Sequence, residues 1–296
     1  MSYQITIGTA PCSWGVWWPD GTPSGTPWQT FLDQAAQAGY QALELGPVGY
    51  LPTDTGRLRQ ELAQRNLSVC GGTACYDFLH AASFADIRPQ VDALCRRLGD
   101  FSVSWLMTMD GASISREEKC KLGEQQKKTY DLFGEMGHYC REEYGVTVLM
   151  HPERCSLIET REELIQLIDR DLSICFDNGH YTAANGGWRP NDASALDFLR
   201  TYHAQIPYLH FKNVSGPVRR AELEGRLAPD DPRLNDIMCD LEEGIINYKD
   251  YRDLLDGINF TGVGIIEQDC PHATTEQAFE KAKKNLNYLQ NLGLVR

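Results

Sequence analysis

Strand-length apolar runs alternate eight times with helix-period segments along this chain, and that alternation limits the fold more than any other feature. Runs at 3–7, 42–45, 67–71, 104–107, 146–151, 172–177, 208–212 and 263–267 read as strands. Segments at 27–38, 56–65, 85–98, 116–144, 161–169, 192–204, 249–256 and 275–292 read as helices. Gly39, Asn66 and Gly145 stand where a helix has to stop before the next strand. Strict alternation of strand and helix makes a parallel sheet. Eight such units in 296 residues predict an α/β protein, a closed (β/α)8 barrel forming one domain over 1–296. A doubly wound open sheet is the runner-up, but the first strand runs into Gly8-Thr9-Ala10-Pro11-Cys12 with no glycine-rich phosphate fingerprint. The longest irregular stretch, 213–247, carries Arg219, Arg220, Glu222, Glu224 and Arg226 and comes after the seventh strand. In a barrel it overhangs the mouth, which predicts a lid; the alternative is a solvated excursion with a short helix of its own.

Composition narrows the function classes. The formal charge is −13, so a surface that holds nucleic acid by neutralising phosphates is not expected. No apolar run reaches the length of a membrane span, and the N-terminal residues show no basic segment followed by an apolar run. The 10 cysteines are scattered without a CxxC pair, and Cys70 and Cys175 lie inside strand-like runs. Reduced thiols in a cytoplasmic protein are therefore expected.

Barrels of this type place their chemistry at the C-terminal ends of the strands. The second strand ends near Glu44, and the fifth at His151 with Glu153 two residues on. The sixth ends at Asp177 before Gly179-His180, the seventh carries His210 and Lys212, and the eighth ends at Glu267 with Asp269 just beyond. Residues two apart on a strand share a face, so these pairs can point inward together. Burying so many ionisable groups is costly, and a metal ion removes much of the cost. His, Asp, His and Glu from four consecutive strands suit Mn²⁺, Co²⁺ or Zn²⁺ better than Ca²⁺. His138 and His203 fall on helices and read as structural or surface groups, whereas His80 and His272 lie in loops on the catalytic face. Trp14, Trp17 and Trp18 come after the first strand, where they would stack on a sugar-like ring, plug the mouth, or do both.

These residues carry a family resemblance. The stretch Gly8-Thr9-Ala10-Pro11-Cys12-Ser13-Trp14-Gly15 resembles the opening of the inosose (2-keto-myo-inositol) dehydratases, members of the xylose-isomerase-like superfamily of TIM-barrel sugar isomerases and epimerases. Gly39-Tyr40 and the run Glu44-Leu45-Gly46-Pro47-Val48-Gly49-Tyr50-Leu51-Pro52 are similar to that family's second strand and loop. Asp177-Asn178-Gly179-His180 resembles its D-T/N-G-H segment, and His210-Phe211-Lys212-Asn213-Val214 its H-L-K-D-V segment. Glu243-Gly244 and Glu267-Gln268-Asp269 are similar to its G-E-G stretch and closing E-Q-D. The resemblance implies a metal held by His151, Asp177, His210 and Glu267, with Mn²⁺ or Co²⁺ foremost and Zn²⁺ or Mg²⁺ as alternatives. It departs locally: where the dehydratases read H-P-H-x-G-T, this chain reads His151-Pro152-Glu153-Arg154-Cys155-Ser156.

The chemistry implied is proton abstraction beside a carbonyl, and the fate of the resulting enediolate decides the reaction. Loss of a β-hydroxyl is dehydration; reprotonation is epimerisation or isomerisation. With His151 on the metal, the fifth strand no longer offers a carboxylate at that position, which favours elimination. Glu267 goes to the metal while also belonging to the catalytic set. Lys212 or His180 is assigned acid–base work, with Glu153 a further candidate. Trp14, Trp17, Glu44, Glu153, Asp269 and Arg219 are assigned to substrate binding. The expectation is a metal-dependent lyase acting on an inosose or related keto-cyclitol. The alternatives are a metal-dependent ketose isomerase or epimerase on a free sugar, and a catalytically dead barrel that only binds. A hydrolytic endonuclease is disfavoured by the charge and by an incomplete set of ligand histidines. The expected partner is a small keto-polyol, with no nucleic acid and no membrane; a homo-oligomer is left open.

Overall fold

The computed structural model describes residues 3–111, 114–228 and 230–295. Its strands are β1 (Gln4–Thr9), β2 (Ala42–Glu44), β3 (Ser68–Tyr76), β4 (Trp105–Asp110), β5 (Thr147–Met150), β6 (Ser173–Asp177), β7 (Tyr208–Phe211), β8 (Asn213–Val214), β9 (Met238–Cys239) and β10 (Thr261–Ile266). Eight of them close into a barrel in the order β1-β10-β7-β6-β5-β4-β3-β2, every pair parallel. The short antiparallel pair β8–β9 stands apart. The helices are α1 (Trp28–Ala38), α2 (Thr55–Ala63), α3 (Arg88–Asp100), α4 (Arg116–Lys119), α5 (Glu124–Tyr144), α6 (Arg161–Ile168), α7 (Asn178–Asn185), α8 (Ser194–Tyr202), α9 (Gly216–Leu223), α10 (Tyr248–Gly257) and α11 (Thr275–Asn291). The (β/α)8 architecture expected from the alternation is the one observed.

Local chemistry sets the element ends. Thr160 and Glu163 form a reciprocal capping box that starts α6, as Thr274 and Gln277 do for α11. Gly39 and Gly145 close α1 and α5 with left-handed φ of 103° and 66°. Helices turn one apolar stripe to the sheet. Phe31, Leu32 and Ala35 of α1 are buried, and so are Ala282, Leu286 and Leu289 of α11, which packs beside α1 and closes the ring between first and last units. Each such large side chain, fully buried, contributes about 1.5–3 kcal/mol. A second, smaller core fills the barrel lumen with Ala42, Cys70, Leu149, Cys175, Tyr208 and Ile265.

Three differences from the sequence reading have physical causes. The third strand continues past residue 71 to Tyr76. Gly71 and Gly72 look like a strand end, but they lie within it because a Cβ at Gly71 would collide with the Tyr208 hydroxyl, and one at Gly72 would lie 2.8 Å from Leu98. The helix expected over 116–144 is broken into α4 and α5, with Gly123 at φ 51° between them. The irregular stretch 213–247 holds α9, a short 3₁₀ helix at Pro232–Asp236 and the β8–β9 pair. All ten cysteines are free thiols. No helix among the described residues is long and apolar enough to cross a membrane.

Candidate active site

The C-terminal strand ends surround a cavity of about 440 Å³. Asp177 ends β6 and also caps α7: its Oδ1 accepts the backbone N–H of His180 at 2.7 Å. That bond fixes the carboxylate and leaves Oδ2 buried with no hydrogen-bond partner. His151, one residue past β5, brings Nε2 to 3.5 Å from Asp177 Oδ2. His210 in β7 brings Nδ1 to 3.8 Å from the same oxygen and to 3.1 Å from Glu267 Oε2. Two groups of ligand atoms lie close enough together to share an ion, His151 with Cys175 and His210, and Glu44 with His210 and Glu267, while Asp177 Oδ2 touches both histidines.

The donor chemistry fits a divalent cation. Among the described residues, nine buried side-chain polar atoms lack a hydrogen-bond partner; four of them are Asp177 Oδ2, His210 Nδ1 and both ring nitrogens of His151. Burial pushes His151 toward its neutral form, the form that ligates. Cys175 also lies within reach of the two histidines, and burial pushes its thiol up to about 12. Two nitrogens and two carboxylates make a mixed set suited to Mn²⁺, Co²⁺ or Zn²⁺.

Lys212 stands beside this cluster. Its Nζ is 3.3 Å from Asp177 Oδ2, 3.0 Å from Glu267 Oε2, 3.1 Å from Asp269 Oδ2 and 3.0 Å from His180 Nε2. Burial works against its charge, but Asp177, Asp269 and Glu267 outweigh that and hold the ammonium well above the ordinary lysine range. Glu267 is held well below the usual carboxylate range: burial raises it, and His210 and Lys212 more than reverse the effect. His180 contacts Glu153 Oε1 through Nδ1 at 3.3 Å and Asp269 Oδ2 through Nε2 at 3.4 Å.

Glu44, Glu153, Asp269 and Trp17 line the cavity, and Trp18 joins Trp17 at the rim. Glu44 is already committed. It accepts from Thr73 Oγ1 at 2.8 Å and from the Tyr208 hydroxyl at 2.8 Å, and its Oε1 lies 3.0 Å from His210 Nε2. Such a carboxylate orients the His210 ring, a role beside the substrate contact expected of a residue that lines the cavity. Two expected substrate contacts lie elsewhere. Trp14 is fully buried, donates Nε1–H to Gln34 Oε1 at 2.7 Å and packs edge-on against Phe31, so it belongs to the core. Arg219 is buried in α9, where it donates to Glu222 at 2.6 Å and to the Gly186 carbonyl at 3.2 Å, outside the cavity lining. His80 pairs with Asp77 at 2.8 Å on the surface, and His272 lies 3.2 Å from Asn235; neither lines the cavity.

The sequence reading missed the clamp on Lys212. Asn178 Oδ1 accepts its backbone N–H at 2.9 Å, and the Tyr248 hydroxyl donates to its carbonyl at 2.6 Å. Adjacency to Asp177 was the available signal for Asn178; Tyr248 is 36 positions from Lys212 and had none. The stretch 213–247 supplies Leu234, Asn235, Ile237 and Met238 to the cavity wall, so it does overhang the mouth.

Fold and site together define a (β/α)8 barrel with a cluster of buried ionisable side chains at its mouth. The chain belongs to the xylose isomerase-like TIM barrel family, which it matches over residues 32–292. It is 28% identical to the rhizopine catabolism protein MocC of Rhizobium meliloti over 287 residues, covering 91% of this chain and 82% of that one. It is 23% identical to an inosose dehydratase of Klebsiella pneumoniae subsp. pneumoniae over 301 residues, covering 97% of each. Among solved structures it is similar to the IOLI protein with a bound zinc atom, at a TM-score of 0.69, 15% identity and 98% coverage of both chains.

Proposed function

We propose that this protein is a metal-dependent carbon–oxygen lyase that dehydrates a keto-cyclitol of the inosose type. The observation that carries the reading is the cluster of buried His151, Asp177 and His210 atoms without a hydrogen bond, in contact with Glu267 and the Lys212 ammonium. Inosose dehydratases matched over nearly their whole length support it, and the zinc of a neighbouring fold supports a divalent metal.

His151, Asp177, His210 and Glu267 would hold the cation. Bound there, it would supply Lewis-acid polarisation of the substrate carbonyl. The remaining groups divide the proton work. Glu153 faces the cavity, lies outside the ligand set and has a side chain 33% exposed, so it is the carboxylate placed to take the α-proton. Lys212, kept as an ammonium, donates its proton to the departing β-hydroxyl. His180, touching both Lys212 and Asp269, passes a proton back to Lys212 between turnovers. The balance is one C–H bond and one C–O bond broken, one C=C bond formed and one water released.

The test is metal analysis of the purified protein, then incubation with 2-keto-myo-inositol and mass detection of the product. A product lighter by one water is expected, with activity lost on chelation and restored by Mn²⁺, Co²⁺ or Zn²⁺. An isomer of unchanged mass would replace the lyase reading with an epimerase or isomerase. Full activity after complete chelation would overturn the metal.

A further inference from the structure

The cavity has two unlike sides. Charged residues from β5, β6, β7 and β10 form one. The other begins on β3 and β4, where Cys75 and Met109 are in-register neighbours on the lumen side and Met107 lies one step below. Trp17 and Trp18 from the first loop and Leu234, Ile237 and Met238 from the excursion add a largely apolar collar to the same cavity, with Thr73 and Asn235 as its polar members. Trp17 is 40% and Trp18 62% exposed, among the few large apolar side chains left open to solvent in the described residues.

A bare cyclitol has a polar group on every ring carbon. The charged side of the cavity can pair those groups. Turned toward Cys75, Met107 and Met109, the opposite ring edge would lose its water and find few partners beyond Thr73, which is unfavourable for each hydroxyl left unpaired. Tryptophan faces can cover the C–H faces of a ring, but the edges still have to go somewhere.

We infer that the substrate is a keto-polyol ring bearing an apolar substituent, aromatic or branched alkyl, and that the collar is its subsite. This rests on the site proposed above and narrows its substrate class. The collar is continuous with the catalytic floor in one cavity, so a single molecule can place its carbonyl beside Lys212 and its apolar group against Met109 and Trp18. A separate protein segment lying over the rim would reach the tryptophans but would have no reason to meet a wall that descends to the floor.

The test separates the subsite from the reaction by using ligands without a ketone. Binding of myo-inositol and of its mono-O-benzyl ethers to the metal-loaded full chain is measured by quenching of tryptophan fluorescence and by equilibrium dialysis. At least one benzyl ether is expected to bind roughly tenfold or more tighter than the parent, the scale set by burying an aromatic ring. Trp18→Ala, at an exposed position that does not threaten folding, and Met109→Gln are each expected to cut that preference severalfold. Equal or weaker binding of every ether overturns the inference, whatever the dehydration assay gives. A preference that survives both substitutions overturns it as well. Conversely, tight ether binding with no dehydration of any keto-polyol would leave the subsite standing and sink the lyase.

Discussion

The charged and apolar sides of the barrel mouth are built by the same fold, yet one gathers ionisable groups and the other is mainly apolar. His151, Asp177, His210 and Glu267 end four consecutive strands, while Cys12, Cys75 and Met109 occupy comparable places after or on β1, β3 and β4. A strand end is therefore not polar by position alone. Charge survives burial where each group has counter-charges, and here Lys212 touches three carboxylates within 3.3 Å. Glu44 shows the same rule from the other direction. It comes from β2, among the less charged strands, but its carboxylate reaches across the lumen to Tyr208 and His210. The two surfaces differ in chemistry, and each can be perturbed alone.

The hardest blow to the charged side is Asp177→Ala, expected to abolish metal binding and turnover together. That change also removes the cap of α7, so Asp177→Asn is the sharper variant: asparagine caps a helix as well as aspartate does but brings no charge to the cation. Metal content measured on the purified variant should fall to background while the cap of α7 is kept. Retained metal at full occupancy would remove Asp177 from the ligand set.

Next in size is Lys212→Gln, expected to lower kcat by about 10²–10⁴-fold with metal content unchanged, the range typical of a lost general acid. Should metal content fall in parallel, Lys212 would be a structural counter-ion and the division of labour would fail. Glu44→Gln probes the group that joins the two sides. Loss of the carboxylate beside His210 Nε2 is expected to weaken metal affinity about 10–100-fold, read by competition with a chelator. An unchanged affinity would leave Glu44 with substrate binding alone.

The legibility of these surfaces in the sequence depends on the range of the contacts that make them. The barrel was readable because each strand and helix carries its own period, and the charged residues at its mouth were readable because strand ends converge in any closed barrel. What escaped depends on distant partners. Nothing near Gly71 announces that Tyr208 will fill the space of a side chain there. Helix α7 begins Asn178-Gly179, poor helix formers, and holds because Asp177 caps it and Gly179 lets Lys212 pass against it. Of three neighbouring tryptophans, local pattern could not tell that Trp14 turns to Phe31 and Gln34 while Trp17 turns to the cavity. The apolar collar escaped for a similar reason: Met238 and Met109 are 129 positions apart by subtraction of their numbers and meet only around the closed cavity.

The smallest expected effect tests whether the excursion behind the collar can loosen while the metal site stays intact. Asp240 comes directly after β9 and staples it to α11, with Oδ1 2.9 Å from Lys281 Nζ and Oδ2 2.7 Å from Lys284 Nζ. Burial raises its pKa, but hydrogen bonds from Lys284 and Lys281 outweigh that and hold it below the ordinary 3.8. A depressed folded-state value means the stabilisation is present above about pH 4 and is lost as pH falls through the folded value. Both lysines are over a third exposed, so solvent screening limits the contribution to below about 1 kcal/mol. Asp240→Asn should therefore lower the melting temperature slightly at pH 7 and by less at about pH 3, with metal content at pH 7 unchanged. An undiminished gap at the lower pH would show that the carboxylate's charge is not what ties the excursion down. A loss of metal at pH 7 would show that the two surfaces are coupled after all.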